Sequence, residues 1–218
     1  MKLKSAAFTA SAVLFLLGAQ NSFARELRDD FDRSVLGNAW TGFGWDVSDG
    51  QLHTNLGGSG RVLTVQSIGQ TRYILRTSVR GLDSGGGPSP GDRVAFIFGA
   101  QPDGVTEYRV SFYLSFGQRV GLSRRFLKAN GEIGEEELAS APVTFNTAVW
   151  YRLVVTHDGS TGAMALFLAA DGAPFETPLL RATDTHIGSL GKIGWVIERE
   201  SPPSVSDTFV DNVSAKAF

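Results

Sequence analysis

Polar and apolar residues alternate along most of this chain, and glycine-rich turns break the alternation at short intervals. That period-2 pattern predicts strands, and the 3.6-residue period of an amphipathic helix is almost nowhere found. The clearest hairpin is Trp45-Asp46-Val47-Ser48, then Asp49-Gly50, then Gln51-Leu52-His53-Thr54. Asp-Gly accepts the positive φ angles of a tight two-residue turn. Further strands are expected over residues 61–67, 71–82, 92–100, 106–116, 119–129, 150–157, 163–169, 186–199 and 208–217. Residues 106–116 carry the pattern best. Tyr108, Val110, Phe112, Leu114 and Phe116 fall on one face, and Glu107, Arg109, Ser111, Tyr113 and Ser115 on the other. In residues 163–169, Met164, Leu166 and Leu168 oppose Ala163, Ala165 and Ala169. About ten strands with short connections predict an all-β fold, a sandwich of two antiparallel sheets packed face to face.

The first 24 residues stand apart from this pattern. Lys2 and Lys4 precede an uncharged apolar stretch, and Ser22-Phe23-Ala24 supplies small residues at the −3 and −1 positions of a cleavage site. The apolar run is shorter than the ~20 residues that span a bilayer, so residues 1–24 are expected to be a signal peptide, with no membrane insertion after cleavage. Removing 24 of 218 residues leaves 194, residues 25–218, a size suited to one sandwich domain. Without Lys2 and Lys4 the chain has 18 basic against 22 acidic residues, a formal charge of −4 with no basic block. Nucleic-acid binding is excluded on that ground. There is no cysteine, so burial must stabilise an exported domain without disulfides.

Several motifs together form a family resemblance. Asp29-Asp30-Phe31-Asp32, Leu36-Gly37-Asn38-Ala39-Trp40, Trp45-Asp46-Val47 and Asp49-Gly50-Gln51-Leu52 make a distinctive opening. Trp150-Tyr151-Arg152-Leu153-Val154-Val155 leads into Asp158-Gly159 ahead of a second such turn, Asp171-Gly172. Gly191-Lys192-Ile193-Gly194-Trp195 and Phe209-Val210-Asp211-Asn212-Val213 close the chain. The whole resembles the bacterial secreted concanavalin A-like lectin/glucanase jelly rolls, laminin-G-like domains among them. The resemblance implies that fold from Asp29 to Ala217, a glycan as partner, and a structural calcium near the paired first and last strands. Asp30, Asp32 and Asp211 are the hard oxygen ligands expected for it, with Asp29 and Asp207 beside them. Acidic residues flanking edge strands also serve solubility.

The chemistry is sparse. Hydrolases of this fold carry a Glu-x-Asp-x-x-Glu strand, which alternation brings to one face around the sugar. No such strand exists here. The acidic run Glu132, Glu135, Glu136 and Glu137 follows the Asn130-Gly131 turn, and neighbours within it would face opposite ways in a strand. It reads as a solvated loop or hairpin edge. His53, His157 and His186 are widely separated, and the glycines at 85–87 lack the lysine and helix of a phosphate loop. Trp40 and Trp150 sit in framework segments and are expected to be structural. Arg72, Arg76 and Arg80 share one strand face, with Arg93 able to join from the next strand. Tyr113 shares its face with Arg109 and Glu107. This trio is the expected ligand site, the ring stacking on a sugar while the charged groups take its hydroxyls. The function expected is a non-catalytic carbohydrate-binding or surface-interaction domain of a protein exported to the periplasm or exterior. The alternatives are a polysaccharide hydrolase or lyase, and an adhesion domain that binds protein.

Overall fold

Fifteen strands form among the residues described by the computed structural model, which are 26–54, 59–81, 93–114, 117–189, 191–198 and 208–218. The expected signal peptide, the glycine-rich loop at 84–91, Ser115, Phe116 and Asp207 lie outside these residues. In chain order the strands begin with β1 (Leu27–Asp29), β2 (Trp40–Phe43), β3 (Asp46–Ser48), β4 (Gln51–Thr54) and β5 (Gly60–Thr64). The longer strands follow: β6 (Arg72–Arg80), β7 (Arg93–Ala100), β8 (Glu107–Tyr113), β9 (Arg119–Leu127) and β10 (Ile133–Pro142). The chain ends with β11 (Tyr151–Asp158), β12 (Ala163–Ala170), β13 (Leu180–Thr183), β14 (Lys192–Glu198) and β15 (Thr208–Ala217). An eight-stranded sheet runs β13-β12-β11-β6-β15-β4-β3, with β1 off this path and paired to β15. A seven-stranded sheet runs β10-β9-β8-β7-β14-β5-β2, and every pairing in both sheets is antiparallel.

Alternation decides what lies between the sheets. Tyr108, Val110 and Phe112 of β8 are fully buried there, beside Phe96 and Phe98 of β7, and Trp195 of β14 packs 5.2 Å from Phe96. Met164 and Leu166 answer from the opposite sheet. Each buried aromatic ring removes roughly 150–250 Å² from water, or about 4–6 kcal/mol at 25 cal/mol per Å². One end of this core is polar. His157 and the Tyr73 hydroxyl share a 2.7 Å hydrogen bond, and the Tyr108 hydroxyl donates to Asp184 Oδ1 at 2.7 Å. Arg124 Nη1 donates to Asp184 Oδ2 at 2.7 Å. The three histidines do not meet: His53 stacks on Phe209, and His186 lies beside Asp184.

The turn chemistry follows the residues that demand it. Asp49 and Gly50, at φ 52° and 72°, make the expected tight turn between β3 and β4. The opening Asp-Asp-Phe-Asp motif is a latch. Phe31 has φ 53°, an unfavourable conformation for a bulky residue, with its ring wholly buried 5.5 Å from Trp40. Asp29 holds that turn. Its carboxylate accepts from the Phe31 amide at 2.8 Å, from Arg33 Nη1 and Nη2 at 2.7 Å each, and from the Trp40 indole at 2.6 Å. Burial works against ionising Asp29, but these donors outweigh it and keep the carboxyl below its ordinary range.

Of the two readings of the acidic run, a solvated loop or a hairpin edge, β10 realises the second. It is an edge strand paired with β9, and its register shifts between Glu137 and Ala139. As strand geometry requires, neighbours part company: Glu135 receives Arg93, while Glu136 receives Arg124.

Candidate functional site

The face of the seven-stranded sheet turned away from the core carries the expected trio. Glu107, Arg109, Ser111 and Tyr113 do share that face of β8, yet the first three are fully buried. Arg109 Nε donates to Glu107 Oε1, and Arg109 Nη1 to Glu198 Oε1, both at 2.7 Å. Arg93 Nε donates to Glu198 Oε2 at 2.6 Å, and its two terminal nitrogens fork onto Glu135 at 2.7 Å each. Arg61 Nη2 reaches Glu107 Oε2 at 2.5 Å, and Arg125 lies 3.7 Å from Glu198. The result is a layer of arginine and glutamate side chains lying flat on the sheet. Ala95, Ser111 and Gly121 pair with one another across β7, β8 and β9, and their small side chains leave room for it.

Electrostatics keep Glu198 and Glu135 of this layer ionised. Burial opposes ionisation of Glu198, but the Arg109 and Arg93 charges beside it overcome that and hold its carboxyl at about 2. Glu135 is likewise lowered, burial being outweighed by its bonds from Arg93. Arg125 is lowered by burial and then by the Arg109 charge. Tyr113 is half-buried, its ring packed against Gly121, where an added Cβ would meet it at 3.0 Å. The Arg119 guanidinium stacks 3.8 Å from the ring centroid, and Arg93 donates to the hydroxyl at 3.3 Å. The expected site is therefore corrected in two respects. Glu107 and Arg109 are turned to each other and not to an open surface, and the Tyr113 ring packs on Gly121 under Arg119 with its hydroxyl held by Arg93. Alternation gave the shared face; the mutual neutralisation of long side chains fills it.

The away-facing side of the eight-stranded sheet is different. It holds a groove of about 700 Å³. Trp150, just before β11, and Phe175, after the Asp171-Gly172 turn, contribute half-buried aromatic rings. Arg80 lies 5.0 Å from the Trp150 ring, and Arg152 lies 4.9 Å from the Phe175 ring and 3.6 Å from Asp171. The lining is polar where β6, β11 and β15 meet. Ser78 pairs with Arg152 on one side and Asp211 on the other. The register of β15 slips between Asp211 and Ser214, and Asn212 takes φ 53°. Arg76 faces the groove, whereas Arg93 does not join its row, because β7 belongs to the other sheet. Trp150, expected to be purely structural, lines a concavity instead. Trp40 does serve the framework, through Asp29.

The calcium set is not assembled. Among the described residues no group of three or more His, Cys, Asp or Glu side chains is arranged to hold a metal ion. Asp211 does sit near Asp30 and Asp29; burial first, then those two charges, raise its carboxyl. Asp29, however, is occupied by Arg33 and Trp40, and Asp32 meets Asp30 only through its backbone amide. The donors of Asp30, Asp32 and Asp211 therefore do not fit a calcium cage, and that expectation is corrected.

Comparison with solved structures places this architecture. A carbohydrate-binding module from Bacillus subtilis, CBM66, superposes with a TM-score of 0.60 at 12% identity, over 83% of this chain and 96% of that one. The winged bean acidic lectin in complex with methyl-α-D-galactose gives 0.65 at 11% identity, over 88% and 97%. Lectin II from Ulex europaeus gives 0.62 at 12% identity, over 88% and 97%. The fold is the concanavalin A-like jelly roll. No protein-family model and no curated sequence relative matches the chain. At such low identity the likeness carries the fold and not the ligand, since this sandwich serves many functions.

Proposed function

We propose that this chain is the carbohydrate-binding domain of an exported protein and that it binds its glycan in the groove over β6, β11 and β15. The observation that carries the proposal is the pairing of Trp150 and Phe175 with a polar lining that includes Ser78, Asn212 and Gln51. Sugars present apolar C–H faces and a rim of hydroxyls, so a site for them needs aromatic surface together with short polar side chains. The groove has both, and its volume falls within the 300–1,000 Å³ typical of ligand sites. The names of structural neighbours, a carbohydrate-binding module and lectins, point the same way.

Binding without catalysis is the reading the carboxylates favour. A glycoside hydrolase needs an acid whose pKa is raised, paired with a second carboxylate. Glu198 and Glu135 are pulled in the opposite direction by arginines. Asp211 is raised, but its Oδ1 accepts the Asn212 amide at 2.7 Å, and Asp171, the other aspartate of the groove, is ion-paired with Arg152. The deciding experiment is a glycan array probed with the mature protein and with Trp150→Ala. Retention of a glycan that the variant loses, at an unchanged melting temperature, is the expected result. An array with no retained glycan, or retention indifferent to Trp150→Ala, refutes the proposal.

A further inference from the structure

One row of residues in the groove has a charge pattern that a neutral sugar does not call for. Strand register sets Arg28 of β1 opposite Ser214 of β15, Ser214 opposite Arg76 of β6, and Arg76 opposite Val154 of β11. Arg28 and Arg76 thus flank a serine hydroxyl from two strands apart, about 10 Å between backbones at the usual 4.8 Å strand spacing. Both arginines are exposed and line the groove. Among the described residues neither side chain takes part in an ion pair, a hydrogen bond or a ring contact. Elsewhere in this protein arginines are heavily engaged: Arg93, Arg109, Arg124 and Arg33 each hold carboxylates. The groove's own carboxylates do not serve these two. Asp171 faces Arg152, Asp211 accepts from Asn212, and the exposed Glu26 lies beyond 4 Å of any cation among the described residues.

Two unengaged guanidiniums on either side of a hydroxyl make a seat for a planar or tetrahedral anion. Each can donate two parallel N–H bonds to one carboxylate or sulfate, and Ser214 can add a third donor between them. The aromatic rings of Trp150 and Phe175 lie in the same groove, so the anion and a sugar ring can belong to one ligand. Resting on the glycan-binding reading above, we infer that the ligand is an acidic polysaccharide whose carboxylate or sulfate is held between Arg28 and Arg76. Chain contacts supply the stacking; the anion supplies selectivity against neutral glycans.

The test is titration calorimetry with oligogalacturonate, oligomannuronate and a sulfated galactan oligosaccharide, each beside its carboxyl-reduced or desulfated neutral counterpart. Wild type, Arg28→Gln, Arg76→Gln and Trp150→Ala are compared, with melting temperatures as a folding control. At least one acidic oligosaccharide should bind, its neutral counterpart more weakly, and each Gln variant should lose about tenfold in affinity for the acidic form only. Raising the salt from 50 to 500 mM should weaken the acidic complex alone. The uronates and the sulfated probe together identify which anion is preferred. A neutral counterpart bound as tightly, with Arg28→Gln and Arg76→Gln without effect, overturns the acidic assignment while leaving the glycan reading standing. Failure of all three acidic probes, when the array retains a neutral glycan that Trp150→Ala loses, overturns the assignment in the same way. An array that retains no glycan at all removes both.

Discussion

Glu198→Gln should make the charged layer of the seven-stranded sheet show its strength and its pH dependence at once. In the native protein this carboxylate accepts from Arg109 at 2.7 Å and from Arg93 at 2.6 Å, and it stays ionised down to about 2 against an ordinary 4.5. Because the folded value is the lower one, the unfolded chain binds the proton first as pH falls. The stabilisation is therefore complete above 4.5 and is lost progressively as pH drops toward 2. Its size at neutral pH is about 3 kcal/mol, at 1.36 kcal/mol for each pH unit of the difference. For a domain of this length each kcal/mol moves the melting temperature by roughly 2–4 °C, so the variant should melt about 6–12 °C lower at pH 7. At pH 2.5 the difference should shrink to a small fraction of that. Urea unfolding followed by tryptophan fluorescence at pH 7, 4 and 2.5 measures it, Trp195 being a fully buried reporter. Two stability curves that run parallel across that range, or a variant as stable as wild type at pH 7, would refute the claim that Glu198 is held by these arginines.

Other perturbations test separate parts of the fold. Asp29→Ala removes the acceptor for Phe31, Arg33 and Trp40 together and should cost about 3–5 kcal/mol in denaturant titration, with a change in the indole environment. Tyr113→Ala should cost about 2–3 kcal/mol, the packing of a half-buried ring on Gly121 together with its contact to Arg119, and should leave glycan retention unchanged because the ring is outside the groove. His157 is kept neutral by burial, which outweighs the pull of Asp158 and Asp184, so wild-type stability should fall as pH drops below 6.5 and His157→Gln should flatten that slope. Asp211→Asn relieves a half-buried carboxylate facing Asp30 and Asp29 and should raise the melting temperature slightly at pH 7.

Much of the architecture can be read from local chemistry. Residues 208–217 form β15 with the expected bounds, and the Asp49-Gly50 hairpin forms because both residues accept positive φ. Short edge elements are another matter. β1, β2 and β13 span three or four residues each, too few to show a period, and long-range pairing creates them: β1 exists because Leu27, Arg28 and Asp29 find partners in β15. β10 is legible only as one of two alternatives, a loop or a hairpin edge, because its exposed glutamates suit either. In the fold they are strand residues whose charges are answered by Arg93, Arg119 and Arg124.

The site shows where alternation stops informing. Period 2 tells which residues share a face, and it correctly joined Glu107, Arg109 and Tyr113. It cannot tell whether that face meets solvent or a lid of its own long side chains. The partners that close the layer are remote in sequence: Arg61 lies 46 residues from Glu107 and Glu198 lies 89 from Arg109, while Glu135 lies 42 from Arg93, which it holds on β7. Arg93 was read as a neighbour of Arg76 because β7 follows β6 in sequence, but the chain changes sheets between them. That crossing separates an arginine that holds two glutamates from one whose side chain holds no carboxylate among the described residues. The contrast matters for function, because both side chains have the same chemistry. What distinguishes Arg76 is a serine beside it, Arg28 beyond that, and a groove open enough for an anion to take the place that glutamates take on the other sheet.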